Sequence, residues 1–294
     1  MRTPAAEVDT SPALVTTLLR EQHPDLAGLA VAEAANGWDN ALFRLGDRLA
    51  VRLPRREAAA TLVRNEQRWL GLIAERVGVP VPAPVRVGRP GHGYPWYWSV
   101  TPWFEGRVAA DLPAADRRSL AGPLAAFVTR LHIPAPDGAP PNPVRGVPLP
   151  RRHERVVEYL ESGRVPHPRD LRALWERLVD TPAWTGPPLW VHGDLHPANL
   201  LVGPPADSPG LAAVLDFGDI TSGDPATDLA LAWMVFDPPG RAAFRAALPA
   251  VDAPTWARAR AWALVMGTAM AANSSDNPRI ATIGHHTLTQ VLDS

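Results

Sequence analysis

The chain has no cysteine. Disulfides, thiolate metal sites and cysteine nucleophiles are therefore excluded. Lysine is absent as well, so all 29 basic residues are arginine, and any side-chain cation gripping an anion is a guanidinium or a protonated imidazole. An excess of charge is also missing. The 29 basic residues meet 30 acidic ones, for a net charge of −1. That balance offers no electrostatic attraction to nucleic acid or to an acidic membrane, and neither is expected as a partner. The apolar run 229–236 stops at Asp237 and is too short to span a bilayer. The first residues, 1–7, lack the apolar core of a signal peptide. A cytoplasmic location is the resulting expectation.

What is present is ordinary globular material. At 294 residues, 46% hydrophobic and 20% charged, the chain suits one large or two modest domains. Residues 12–21 read as a short amphipathic helix. Strands are expected at 28–33, 41–46 and 48–53, separated by the turn residues of 36–40 and by Gly46-Asp47. A helix follows at 56–76, where Leu62, Trp69, Leu70 and Ile73 recur at helical spacing. It stops at Gly78, with Pro80 beyond. Two more strands are expected at 81–87 and 97–100, then a linker at 101–106. After the linker the pattern turns helical, at 116–131, 152–161 and 169–179. The proline-rich stretch 134–150 reads as a rigid surface loop, with a part in shaping a cleft as the alternative. Short strands are expected at 189–191, 200–202 and 212–215, and helices at 225–236, 241–248, 254–272 and 280–292. There is no internal repeat. The sum is α+β: a small sheet with one main helix, a hinge, and a larger, mostly helical lobe.

Between those last strands lies the stretch that carries chemistry. It runs Val191-His192-Gly193-Asp194-Leu195-His196-Pro197-Ala198-Asn199 and continues to Leu215-Asp216-Phe217-Gly218-Asp219. An Asp, an Asn five residues on and an Asp seventeen further suit phosphoryl transfer from a nucleotide. Asp194 is the candidate catalytic base or hydroxyl-orienting group. Asn199 and Asp216 are candidate magnesium ligands, because a carboxylate at the end of a buried strand must be paired, hydrogen-bonded or metal-bound. His192 is read as structural, His196 as a loop residue with a phosphate or acceptor contact as the alternative, and Asp228 as a buried carboxylate bracing the loop. No cluster suggests zinc.

Together with Gly223-Asp224-Pro225-Ala226-Thr227-Asp228-Leu229-Ala230, these motifs resemble the aminoglycoside phosphotransferase family of the protein-kinase-like superfamily. The resemblance extends from about Ala32 to the last helix. It implies a bilobal protein-kinase-like fold: a nucleotide-binding lobe at 1–102 built on a small antiparallel sheet, a hinge at 103–106, and a catalytic and acceptor-binding lobe at 107–294. It implies ATP or GTP as donor, Mg2+ as cofactor, and a hydroxyl of a small molecule as acceptor. Where the superfamily has Val-Ala-Ile-Lys, this chain has Leu49-Ala50-Val51-Arg52. Ala50 and Arg52 share a strand face, the small residue clearing the base and the cation reaching phosphate. Arg52 replaces the usual Lys with a planar fork. Glu66 is its expected partner and Glu57 the rival. The nucleotide-covering loop would be 36–40, where Gly37 is the sole glycine and backbone contact to phosphate is partial. Segment 101–106 would meet the purine.

The acceptor is less defined. A polycationic aminoglycoside wants a surplus of carboxylates. The tail holds Asp237, Asp252, Asp276 and Asp293 against Arg241, Arg245, Arg258, Arg260 and Arg279, which is no surplus. Trp233, Trp256 and Trp262 are expected in the core more than in a ligand wall. An antibiotic, an amino alcohol or a sugar all remain open, as does a nucleotide-binding protein without turnover. The oligomeric state is not legible.

Overall fold

The computed structural model describes residues 5–204 and 210–294, without the side chains of Ala35 and Asn36. Met1–Pro4, part of the segment read for a leader, lies outside them. Helix α1, Pro12–Gln22, starts where Ser11 accepts the Leu14 N–H and Pro12 presets the first turn. Strands β1 (Val31–Asn36), β2 (Asn40–Leu45) and β3 (Leu49–Pro54) form an antiparallel meander. β1 begins three residues later than expected. Helix α2, Glu57–Val77, ends at Gly78 in the left-handed region, φ 67°.

Next come β4 (Arg86–Gly88) and β5 (Trp98–Pro102), which complete a five-stranded sheet in the order β1-β2-β3-β5-β4. A strand over 81–87 does not form. Pro80, Pro82 and Pro84 have no N–H to give a ladder, so only Arg86–Gly88 pairs. β5 reaches further than expected: Thr101 and Pro102 lie opposite Ala50 and Leu49, so the sheet extends into the linker.

Beyond the linker, β6 (Arg107–Val108) precedes two 3-10 turns and helix α3, Ala121–Leu131. The single helix expected at 116–131 is divided. Pro123 cannot donate to Ser119, and residues 114–120 wind as a 3-10 segment instead. Then follow α4 (His153–Glu161), α5 (Pro168–Leu178), β7 (Leu189–Val191), β8 (Leu200–Gly203), β9 (Gly210–Val214) and β10 (Thr221–Gly223). The helix expected at 225–236 is two short pieces, α6 (Ala226–Leu229) and α7 (Leu231–Met234), where the Trp233 N–H bonds Ala230 O. Helices α8 (Pro238–Ala246), α9 (Ala253–Asn273) and α10 (Pro278–Leu292) close the chain.

Two apolar cores result. The smaller packs α1 against the sheet through Leu18, Phe43, Val51 and Trp98. The larger surrounds α9, which is buried on most of its circumference, and includes Trp233, Trp256 and Trp262. Trp69, Leu70, Ile73 and Val77 of α2 join the larger core. One helix therefore ties the sheet to the helical lobe, and the space between them becomes a cleft. Among the described residues no helix is long and apolar enough to cross a membrane.

Candidate active site

Two loops carry the candidate catalytic residues. One, 192–199, leaves β7; the other, 215–220, leaves β9. Pairing of β10 with β7 (Thr221 opposite Val191) brings the second loop back beside the first. The Leu215 N–H donates to Asn199 O at 2.8 Å. The His192 Nδ1 accepts the Asp194 N–H at 3.2 Å, so its proton sits on Nε2, 3.0 Å from Leu215 O. Gly193 has φ 88°, and a Cβ there would fall 2.6 Å from Asp219 O, so the loops meet without room for a side chain.

Asp228, in α6, is fully buried. It accepts the N–H groups of His192 at 2.8 Å and Gly193 at 2.9 Å, with His132 Nε2 at 3.1 Å. Three donors satisfy a charge that burial alone would expel. The backbone on either side of Asp194 is thus pinned from beneath.

Asp194 itself is surrounded. Its Oδ1 lies 3.2 Å from Arg145 Nη2, and its Oδ2 lies 3.2 Å from His196 Nε2. His196 Nδ1 accepts the Ala198 N–H, which leaves the ring proton on Nε2 to be donated to Asp194. Asn199 Nδ2 donates to Asp194 O at 3.0 Å. Its nitrogen is committed to the loop, and its oxygen is the group left for a cation. Burial works against the Asp194 charge, but His196 and Arg145 outweigh it and hold the carboxyl well below the usual range. Such a carboxylate stays ionised at neutral pH. It is a weak base, suited to orient a hydroxyl and take its proton as the proton becomes acidic.

On the sheet side, Arg52 Nη1 lies 2.9 Å from both carboxylate oxygens of Glu66. Glu57 plays no part in this pair. Burial works against the Arg52 charge, yet Glu66 and Asp216 outweigh it and raise its pKa. Asp216 stands in the left-handed region, φ 59°, immediately after Leu215. That conformation is costly for a residue with a Cβ and is held by the surrounding loop. Gly37, Ala50, Arg52, Asn199 and Asp216 line one cleft of about 560 Å³. Asp194 is one hydrogen bond beyond it, through Asn199. The Gly37 N–H bonds Asn40 O, and its carbonyl accepts from Arg55, so neither group is open in the turn. In the linker, the Trp103 N–H is bonded to Arg48 O. A second hollow of about 260 Å³, beside Trp69 and Trp190, contains none of these residues and no carboxylate.

Sequence reasoning gave no role to Arg145 or Asn142 and read His196 mainly as a loop residue. His196 is buried against Asp194 and is more than a loop residue. Arg145 bridges Asp194 and, at 3.3 Å, Asp219; Asn142 donates to Asp219 Oδ1 at 2.9 Å. Both come from the 134–150 stretch, so that stretch is a wall of the site as well as a surface loop. Arg145 is 49 positions from Asp194, and local sequence carries no sign of the contact. Glu66, by contrast, was expected as the partner of Arg52. It sits in the buried stripe Ala59, Val63, Leu70, Ile73 and Val77, where a carboxylate demands a cation.

A model of the phosphotransferase enzyme family matches residues 30–262. Several solved structures share the fold. The GDP and kanamycin complex of APH(2")-IIia aligns with a TM-score of 0.66 at 21% identity, over 95% of this chain and 98% of that one. The GDP complex of wild-type aminoglycoside 2'-phosphotransferase-IIIa gives 0.65 at 18% identity, over 97% and 99%. The apoenzyme of macrolide 2'-phosphotransferase MphH from Brachybacterium faecium gives 0.58 at 22% identity, over 94% and 97%. Comparison with curated proteins returns no match. At these identities the likeness establishes the bilobal kinase-like fold.

Proposed function

The chain belongs to the phosphotransferase enzyme family, and from that premise we propose that it moves the terminal phosphoryl group of ATP or GTP to a hydroxyl of a small molecule. The observation that carries this is one cleft edged by Arg52, Asn199 and Asp216, with Asp194 a hydrogen bond past Asn199. In this reading 1–102 covers the nucleotide, 103–106 is the hinge and 107–294 holds base and acceptor. Arg52, fixed by Glu66, faces the phosphates. Asp194 orients the acceptor hydroxyl and takes its proton as the oxygen bonds to the terminal phosphorus. The bond from phosphorus to the bridging oxygen breaks, and the nucleotide diphosphate leaves.

Asn199 and Asp216 would hold Mg2+. Their donors are oxygens, as a hard cation prefers. Among the described residues no three His, Asp or Glu side chains form a self-sufficient metal site, which fits an ion that takes the rest of its shell from water and phosphate. When bound, the ion neutralises phosphate charge. A cytoplasmic location, where nucleotide is abundant, belongs to the same reading. One similar structure holds kanamycin. An aminoglycoside is accordingly one acceptor arm, and amino alcohols and sugars are the other.

Nucleotide consumption with and without acceptor tests the proposal. Asp194→Asn is expected to lower acceptor-dependent kcat by about 10²–10⁴-fold with little change in nucleotide KM. Equal turnover in the two proteins overturns the assignment. Nucleotide binding with no phosphoryl product across the panel would point to a binding protein instead.

A further inference from the structure

The hollow of about 260 Å³ opens where α2 meets the helical lobe. Three elements wall it: α2 with Trp69 and Ile73, α3 with Leu131, and β7 with Trp190. The two indole rings stand edge to face, their centroids 5.2 Å apart. Leu72, another wall residue, is 56% exposed, so the hollow reaches solvent. A dry cavity of about 150 Å³ holds benzene, so this one has room for a bicyclic ring.

Its charged walls have one sign. Arg76 and Arg130 line the hollow, and no carboxylate does. Both arginines are exposed. They also lie at the same end of it. Arg130 Nη1 is so close to Gly78, the residue that ends α2, that a Cβ there would fall 1.8 Å from it. Arg76 is two positions before Gly78. The partial negative charge at the end of α2 attracts Arg130 but supplies no hydrogen bond. Among the described residues neither Arg76 nor Arg130 has a hydrogen bond, an ion pair or an aromatic partner. Arg68, on the same helix, differs: its guanidinium is spent over the Trp69 ring at 4.7 Å. An aromatic-walled hollow with two free cations at one end complements an apolar ring that carries an oxyanion.

We propose that this hollow binds a small aromatic carboxylate, its ring against Trp69 and Trp190 and its carboxylate on Arg76 and Arg130. The site shares no lining residue with the cleft that holds Arg52, Asn199 and Asp216, so both can be filled at once. Glu66 lies about one turn before Trp69 on α2, and β7 leads from Trp190 into the loop 192–199. An occupant therefore touches the helix that fixes Arg52 and the strand that enters the catalytic loop. A ligand that binds only this packed arrangement stabilises it by mass action.

A charge series on one ring tests it. Indole-3-acetate, indole and tryptamine are titrated calorimetrically into the full-length protein, with and without saturating ADP or GDP. Indole-3-acetate is expected to bind once per chain, about tenfold more tightly than indole, with tryptamine the weakest and nucleotide making no difference. Because Arg76 and Arg130 are exposed, their variants should keep the fold. Arg76→Gln and Arg130→Gln are each expected to weaken indole-3-acetate about fivefold and leave indole unchanged, and Arg76→Lys to recover part of the loss. The wild-type Tm should rise with indole-3-acetate and stay put with tryptamine. Four results overturn the proposal: no probe binds, tryptamine binds as tightly as indole-3-acetate, nucleotide displaces the probe, or either glutamine variant keeps full affinity. None of these readouts uses turnover, so the proposal fails or stands apart from the phosphotransferase reading.

Discussion

Arg52 and Arg145 are both largely buried guanidinium groups held by carboxylates, one on the sheet and one in the proline-rich segment. Arg52 lies 2.9 Å from both oxygens of a single carboxylate, Glu66, which is fixed on the long helix α2. Arg145 lies 3.2 and 3.3 Å from two carboxylates on two loops, with its Nε unpartnered. The first is a complete pair between rigid elements. The second is a looser contact with donor capacity left over. The Arg52–Glu66 pair is therefore assembled before any ligand arrives, whereas Arg145 keeps a donor uncommitted.

Removing the tight pair is expected to have the largest effect on stability. Arg52→Ala leaves Glu66 buried without a counter-charge, and chemical denaturation should show a loss of about 3–5 kcal/mol. Arg52→Lys should lose less, because a cation remains. A loss near zero in Arg52→Ala would erase the contrast between the two arginines. The looser contact should appear in pH dependence. Arg145 helps hold Asp194 below the ordinary carboxylate value, so the wild-type acid limb of kcat/KM should lie below about pH 3.9. Arg145→Gln should move that limb upward. The sign for stability follows. A depressed carboxylate contributes fully above its unfolded pKa, and the contribution is lost as pH falls through the lower folded value. An acid limb unmoved in Arg145→Gln would separate Arg145 from Asp194. The smallest effect is expected at the exposed Arg155–Glu158 pair, where Arg155→Ala should change stability by about 0.5 kcal/mol or less.

Four of the five sheet strands and most helices were legible because each has its own period and stop signals. Gly78 ended α2 where expected, and Ser11-Pro12 began α1. Local reading failed where one residue type overrode the pattern. Prolines 80, 82 and 84 silenced an apolar run that otherwise looks like a strand, and Pro123 split a helix. In the site, Asp194, Asn199 and Asp216 were legible because they sit on two short loops at short spacing. Arg145 and Asn142 were not. Their partners lie 49 and 77 positions away, and nothing local distinguishes them from loop residues.

By itself, then, the sequence determined the class of chemistry and the absence of thiol or lysine from it. Those follow from residue types and short spacings, which chain connectivity preserves. Only the tertiary structure decided which charges meet. It chose Glu66 over Glu57 for Arg52, and carried a proline-rich segment, with Arg145, to Asp194. Electrostatic interactions depend on distance and burial in space, and a linear spacing of tens of residues specifies neither.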